Sequence, residues 1–437
     1  TWISRVSKSN YLDVEPPARL APELQFPKSF MAEDSDQETL RSTLAAFNLQ
    51  VSQPPSVLPT PESAVASGAE ATDEAERFRG NFSNDSRRYD VGTDFYSPPE
   101  FEGGLIVFGK DVAMKIGGYV KADFIYDLDP IDSTDVFITT DIPVGAPPRK
   151  NSRFHARQTR MSFDTRWASD EKVVRIFVEG DFFGGTNEDS QSDSDDTFRL
   201  RHAYGEVGSL LVGQTWTTFT DIAAAPATLD FEGSVSTVKR RQAQIRWTHQ
   251  VLREDLTMAL AAENPQFIID VPPGITGEAL TPSPDVVARL RLDRELLQFQ
   301  VAYLYRLGGF QPTGSNALTS PASGFNFSGV FLSKRDTSKL YYQILFGNGI
   351  GSYRGLPDAV PDSDTSEKIL GTSAWMVGYT RDWTKKLSSN FTYAENNLAN
   401  SAFEPADNVH RTTYLAANLI WNPETRMRVG IEYLNGL

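Results

Sequence analysis

From Val112 to Tyr433 one pattern recurs: short segments in which apolar and polar residues alternate. Fifteen such segments can be read, at 112–128, 154–167, 173–183, 197–207, 210–218, 237–249, 256–263, 285–293, 296–307, 323–333, 339–347, 371–383, 387–396, 411–421 and 425–434. A period of two puts alternate side chains on opposite faces of a strand. Each segment therefore has one apolar face and one polar face. The connections alternate too. Links such as Ala168-Ser169-Asp170-Glu171, Gly208-Ser209, Arg294-Glu295, Thr384-Lys385-Lys386 and Asn422-Pro423-Glu424 are short, whereas 129–152, 184–196, 219–236, 264–284, 308–322, 348–370 and 397–410 are long.

A tilted strand crosses a bilayer in about 9–11 residues. Short turns on one rim and long loops on the other mark outer-membrane barrels, and a soluble sandwich has no cause to alternate so regularly. The expected fold is all-β: a 16-stranded antiparallel transmembrane β-barrel over 105–437. Bacterial single-chain barrels use even strand numbers. Fifteen visible strands thus imply a sixteenth, closing strand beyond Leu437, and a wall left open there would not insert stably alone. Trp167, Trp247, Trp383 and Trp421 each stand at or near a short turn, as expected of an aromatic girdle at the headgroup level.

Residues 1–104 read differently. Gln53-Pro54-Pro55-Ser56, Pro59-Thr60-Pro61-Glu62 and the small, acidic run from Ser63 to Glu76 offer little to bury, so a disordered periplasmic tail is expected. One island, 36–50, sets Leu40, Leu44 and Phe47 on one helical face and reads either as an oligomerising helix or as a transient one. Residues 1–100 hold 9 basic and 16 acidic residues, nearly half of the whole chain's net charge of −15. That acidity argues against a nucleic-acid partner and says little about the charge inside a pore.

Parity assigns the faces. On 173–183, Val174, Ile176, Val178 and Phe182 point out, and Arg175, Glu179 and Asp181 point in. On 197–207, Phe198, Leu200 and Tyr204 point out, and Arg199 and Arg201 point in. On 237–249, Ala243, Ile245 and Trp247 point out, and Arg240, Gln242, Gln244 and Arg246 point in. Elsewhere Arg160, Arg166, Arg289, Arg291, Arg426 and Arg428 fall inward. Charge on the lipid face costs about 2–4 kcal/mol near the midplane, which independently drives these residues inward. A ladder of guanidiniums can pass small anions from one to the next. It can equally pair with inward Glu179, Asp181, Glu206 and Glu432 and brace the wall. The candidate pore-lining residues are Arg160, Arg175, Arg199, Arg201, Arg240, Arg246, Arg289 and Arg291. The loop 219–236 reads either as an ordinary surface loop or as a constriction, with Asp230 and Glu232 facing the arginines.

Catalytic chemistry finds no foothold. The chain has no Cys, and its four histidines, His155, His202, His249 and His410, form no cluster. Parity puts His202 on the lipid side, and no histidine has the His-x-Ser spacing of the barrel phospholipase. No enzyme, cofactor or metal is expected.

Specific words also stand out: Glu179-Gly180-Asp181-Phe182-Phe183-Gly184, Arg199-Leu200-Arg201-His202-Ala203-Tyr204-Gly205, Gly213-Gln214-Thr215-Trp216-Thr217-Thr218-Phe219, Thr228-Leu229-Asp230-Phe231, Arg241-Gln242-Ala243-Gln244-Ile245-Arg246, Gly347-Asn348-Gly349-Ile350-Gly351 and Gly430-Ile431-Glu432-Tyr433-Leu434. In this order they resemble the DcaP family of outer-membrane porins, over about 105–437. The resemblance implies a bacterial outer-membrane location among lipid, a sixteen-stranded homotrimer, and passive passage of small anionic, dicarboxylate-like solutes. The closing strand with its terminal aromatic, and a helical segment in 1–100, are where this sequence departs from the family. A non-selective or structural, adhesin-like barrel is the alternative.

Overall fold

The computed structural model describes residues 105–108, 112–133, 135–169, 172–184, 197–252, 255–334, 337–363, 365–399, 401, 408–424 and 426–437. The tail 1–104 and the helix 36–50 lie outside them. The strands in chain order are β1 (Leu105–Phe108), β2 (Val112–Tyr119), β3 (Asp123–Asp127), β4 (Asn151–His155), β5 (Arg160–Ser169), β6 (Lys172–Gly184), β7 (Thr197–Val207), β8 (Leu210–Trp216), β9 (Arg241–Gln250) and β10 (Leu256–Glu263). There follow β11 (Gly277–Leu280), β12 (Asp285–Arg294), β13 (Leu297–Pro312), β14 (Leu318–Leu332), β15 (Ser338–Asn348), β16 (Ala359–Pro361), β17 (Glu367–Ile369), β18 (Gly371–Asp382), β19 (Leu387–Leu398), β20 (Arg411–Trp421) and β21 (Val429–Gly436).

Apart from β3, β4, β11, β16 and β17, each strand pairs antiparallel with its neighbour along the chain, in one meander from β1 to β21. The remaining five elaborate the long loops. Strands β3 and β4 form a hairpin between β2 and β5, β16 and β17 form one between β15 and β18, and β11 lies beside the far end of β13. Short and long connections alternate as the sequence reading expected except between β13 and β14, where most of the expected long link 308–322 is paired strand and the connection is 313–317.

The strand count corrects that reading. The meander has sixteen strands, because β1 pairs with β2 through Leu105↔Met114 and Ile106↔Ala113. The run Leu105-Ile106-Val107-Phe108 has no polar alternation, so a period-two search passes over it. Among the described residues β1 and β21 do not pair with each other. The segment expected as one strand over 112–128 is broken between Tyr119 and Asp123 into β2 and β3.

The two faces of the sheet differ in the way parity requires. Ile245 is 57% exposed, Leu290 48% and Val429 46%, whereas inward Gln298, Gln300 and Leu304 are fully buried. Trp247, Trp383 and Trp421 are likewise exposed, near short turns. Exposed large apolar residues over so many strands far exceed what a water-facing surface carries. The inner face is lined at many points by alanine: Ala259, Ala261, Ala302, Ala374, Ala394 and Ala416 are all buried there. These small side chains leave room for three incoming segments. Ile131 and Phe137, Ala223 and Ala224, and Ile350 and Tyr353 all join the buried clusters on that face.

Candidate functional site

The site begins at an extra residue. Between β6 and β7 the register runs Val178↔Ala203 and Glu179↔His202, then jumps to Gly180↔Leu200 and Asp181↔Arg199. Arg201 is therefore the added residue of a β-bulge, which bends the strand and breaks its alternation. The side-chain amide of Gln214 donates to the carbonyls of Leu200 (3.1 Å) and Arg201 (3.3 Å), at the bulge itself.

The bulge overturns two sequence assignments. Past Arg201 the parity of β7 is reversed, so His202 and Tyr204 face inward, not toward lipid. His202 is buried, with Nδ1 3.0 Å from Thr215 Oγ1. Tyr204 lies under the Arg175 guanidinium, 5.6 Å from its centroid.

Inward arginines from β5 to β7 interlock with carboxylates. Arg201, fully buried, donates to Glu179 (2.7 Å) and Asp181 (2.8 Å). Arg199 grips Asp181 through two nitrogens, at 3.0 and 2.9 Å. Arg160 lies 3.7 Å from Glu179, and Arg175 bridges Asp164 (3.0 Å) and Glu206 (3.3 Å). On the far side Arg291 pairs with Asp221 (3.2 Å) and Asp293 (3.0 Å). Arg246 and Arg289 are buried on the same inner face. Arg240 reaches Gln266 at 2.6 Å and lies over the Tyr353 ring. Arg426 and Arg428 belong to the turn before β21 rather than to a strand.

The loop between β8 and β9 crosses this face, and all residues from Thr217 to Thr228 are buried. Polar side chains of successive strands fasten it. Glu263 accepts from Thr218 N, and Asp221 accepts from Gln298 (2.9 Å) and Ser328 (2.7 Å). Gln300, Asn326 and Gln343 donate to its carbonyls, as does Asn418 to that of Ala227. At its far end Glu432 accepts from Leu229 N (2.9 Å) and Asp230 N (2.8 Å). The loop is thus an inward strap along β10–β21, not a surface loop.

The two acids of this loop separate. Asp230 does not face the arginines. Its carboxylate accepts from Phe137 N (2.9 Å) and Gly233 N (2.6 Å), because backbone amides of the loop and of the β3–β4 connection lie closer than any guanidinium. Burial first, and Glu432 nearby second, push the Asp230 carboxyl up to about 7. Glu232 lines a small pocket with Arg160, Arg201, Trp216, Phe231, Lys239 and Arg241, and its backbone carbonyl accepts from the Lys239 ammonium. Phe231 stacks on Phe183 at 4.4 Å, with Arg199 and Arg201 over its ring.

The family model described as the DcaP outer membrane protein matches residues 107–267, the stretch that holds the bulge, the arginine cluster and the strap. Over that stretch the chain is similar to the DcaP outer-membrane proteins. Among solved structures it is similar to the outer membrane channel DcaP of Acinetobacter baumannii, with 21% identity and a TM-score of 0.67 over 76% of this chain and 93% of that one. It is also similar to OmpF of Salmonella typhi in complex with daunomycin, at 8% identity and a TM-score of 0.50 over 75% of this chain and 91% of that one. No curated protein matches the chain by sequence. The family and the fold place the chain in the bacterial outer membrane, among channels.

Some charged residues of the inner face escaped the sequence reading. Arg306 is fully buried and pairs with Asp285 (3.1 Å) and Asp358 (3.6 Å), holding the segment 349–358 inside. Burial foremost, against the pull of Arg306, raises the Asp358 carboxyl to about 6. Parity on 296–307 would have put Arg306 inward beside Gln298 and Gln300. Lys239 and Arg241 flank Arg240 in an unbroken basic run that the sequence displays openly. Their convergence with Arg160 and Arg201 depends on the path of the strap.

Proposed function

We propose that the meander closes into a transmembrane barrel, assembles as a homotrimer, and lets small anionic, dicarboxylate-like solutes diffuse passively along its inward arginines. One observation carries this reading. Where the strap meets the arginine wall, Arg160, Arg199, Arg201, Lys239 and Arg241 gather, among the described residues, with Glu179, Asp181 and Glu232. Five cations to three carboxylates leave a local positive excess. Guanidinium stays charged at any working pH and carries five N–H donors. An arginine that braces the wall through two of them can still attract an anion. Arg175 and Arg246 extend the track on one side, and Arg289 and Arg291 on the other. A series of sites, none binding too tightly, is what conduction requires.

The test is the reversal potential of the full-length protein in a planar bilayer under a salt gradient. Anion preference is expected, reduced in Arg199→Ala, Arg201→Ala and Arg246→Ala. A cation preference in the unmodified protein would refute the reading.

A further inference from the structure

We infer that the pocket bounded by Arg160, Arg201, Lys239 and Arg241 is a discrete binding site for one oxyanion group, a carboxylate or phosphate head. The inference rests on the anion pathway above and gives it a specific stopping point.

The basic run Lys239-Arg240-Arg241 ends the strap and splits. Arg240 turns toward Gln266 and Ser352 and lies over Tyr353. Lys239 and Arg241 enter the pocket. Among the described residues no carboxylate comes within ion-pair distance of Arg241, whose guanidinium lies 4.4 Å from the Trp216 centroid. The ammonium of Lys239 donates to the backbone carbonyl of Glu232, not to its carboxylate. Charges drawn together away from water need a counter-charge to offset their desolvation and mutual repulsion. Glu179 and Asp181 already brace Arg160 and Arg201, so among the described residues Glu232 is the one carboxylate-bearing residue that lines the pocket beside Lys239 and Arg241.

Shape narrows the ligand. The cavity encloses about 30 Å³, room for a small polar group and not for a ring. Its aromatic walls are already taken. Arg241 covers Trp216, Arg199 and Arg201 cover Phe231, and Phe183 stacks on Phe231. A guanidinium stacked on a ring keeps its N–H edge for an acceptor lying in its own plane. The site therefore takes the head of a compact or elongated anion and offers no open face to an aromatic one. Glu232 repels the bound group, which keeps occupancy brief enough for passage.

The experiment measures chloride current through the full-length protein in a planar bilayer while inorganic phosphate is added. Saturable block is expected. The half-blocking concentration should rise about tenfold in Lys239→Gln and in Arg241→Gln, since one charge-assisted hydrogen bond is worth about that factor. Lys239→Arg should retain the block, and Glu232→Gln should strengthen it. Arg294→Gln, at the exposed end of β12, should leave it unchanged. Adding succinate instead of phosphate shows whether carboxylate and phosphate heads share the site. If chloride preference persists but phosphate gives no saturable block, or the block is the same in Lys239→Gln, Arg241→Gln and Glu232→Gln, the site is overturned while the pathway stands. If the unmodified protein shows no anion preference, both fall.

Discussion

Asp221 is the anchor of the strap, and its removal should loosen the channel interior without unfolding the wall. The side chain is almost wholly buried and accepts from Arg291 (3.2 Å), Gln298 (2.9 Å), Ser328 (2.7 Å) and the amide of Ala223 (3.1 Å). Deleting one member of a buried ion pair costs about 3–5 kcal/mol, since the other charge and its donors stay buried. Arg291 keeps a second carboxylate, Asp293, at 3.0 Å, so the lower end, about 3 kcal/mol, applies. That lowers the ratio of docked to undocked strap roughly 100-fold. The tethers from Glu263, Gln343, Asn418 and Glu432 remain, so the defect stays at the start of the loop. Asp221→Ala should therefore show raised open-channel noise and altered single-channel conductance, with unchanged heat-modifiable migration on gels. Asp221→Asn, which keeps an acceptor for Gln298 and Ser328, should fall between. If Asp221→Ala conducts with the noise and step size of the parent, the strap is not held in the pathway by this residue and the reasoning fails.

Acidity should act through Asp230. Its carboxyl is raised to about 7 by burial and by Glu432, so the folded chain holds a proton that the unfolded chain has already lost. The associated stability is fully present below pH of about 4 and is lost as pH rises through 7. Acidification from pH 8 to 5 also removes one negative charge from the interior, so anion preference should rise over that window. Asp230→Asn should flatten the profile, and a titration of selectivity unchanged in that variant would count against the assignment. Leu290→Arg places a charge on the outer face of β12, where it should cost about 2–4 kcal/mol. The folded fraction in vesicles should drop, and normal folding of this variant would contradict the facing of that strand.

Much of the architecture was legible because strand facing is a local, period-two property. Ile245, Leu290 and Val429 outward, and Gln244, Arg289 and Arg291 inward, follow from alternation and the cost of charge in lipid. The same period failed at β7. One added residue at Arg201 turns His202 and Tyr204 to the other face, and nothing near them in the sequence announces it. The support for the bulge comes from Gln214 on the neighbouring strand. Gly213, beside it, takes φ +130°, a conformation that side chains rarely adopt, and it marks the irregularity only after the fact.

From its residues alone the chain dictates an antiparallel wall with an apolar outside and an arginine-rich inside, since hydrocarbon and water sort alternate side chains whatever the rest of the molecule does. Where the β8–β9 segment runs belongs to the folded whole. Its course depends on hydrogen bonds to groups as distant as Asn418 and Glu432, and those partners meet only once the strands between them have assembled. That course sends the Asp230 carboxylate to backbone amides and sets Glu232, two residues on, among the residues that line the basic pocket.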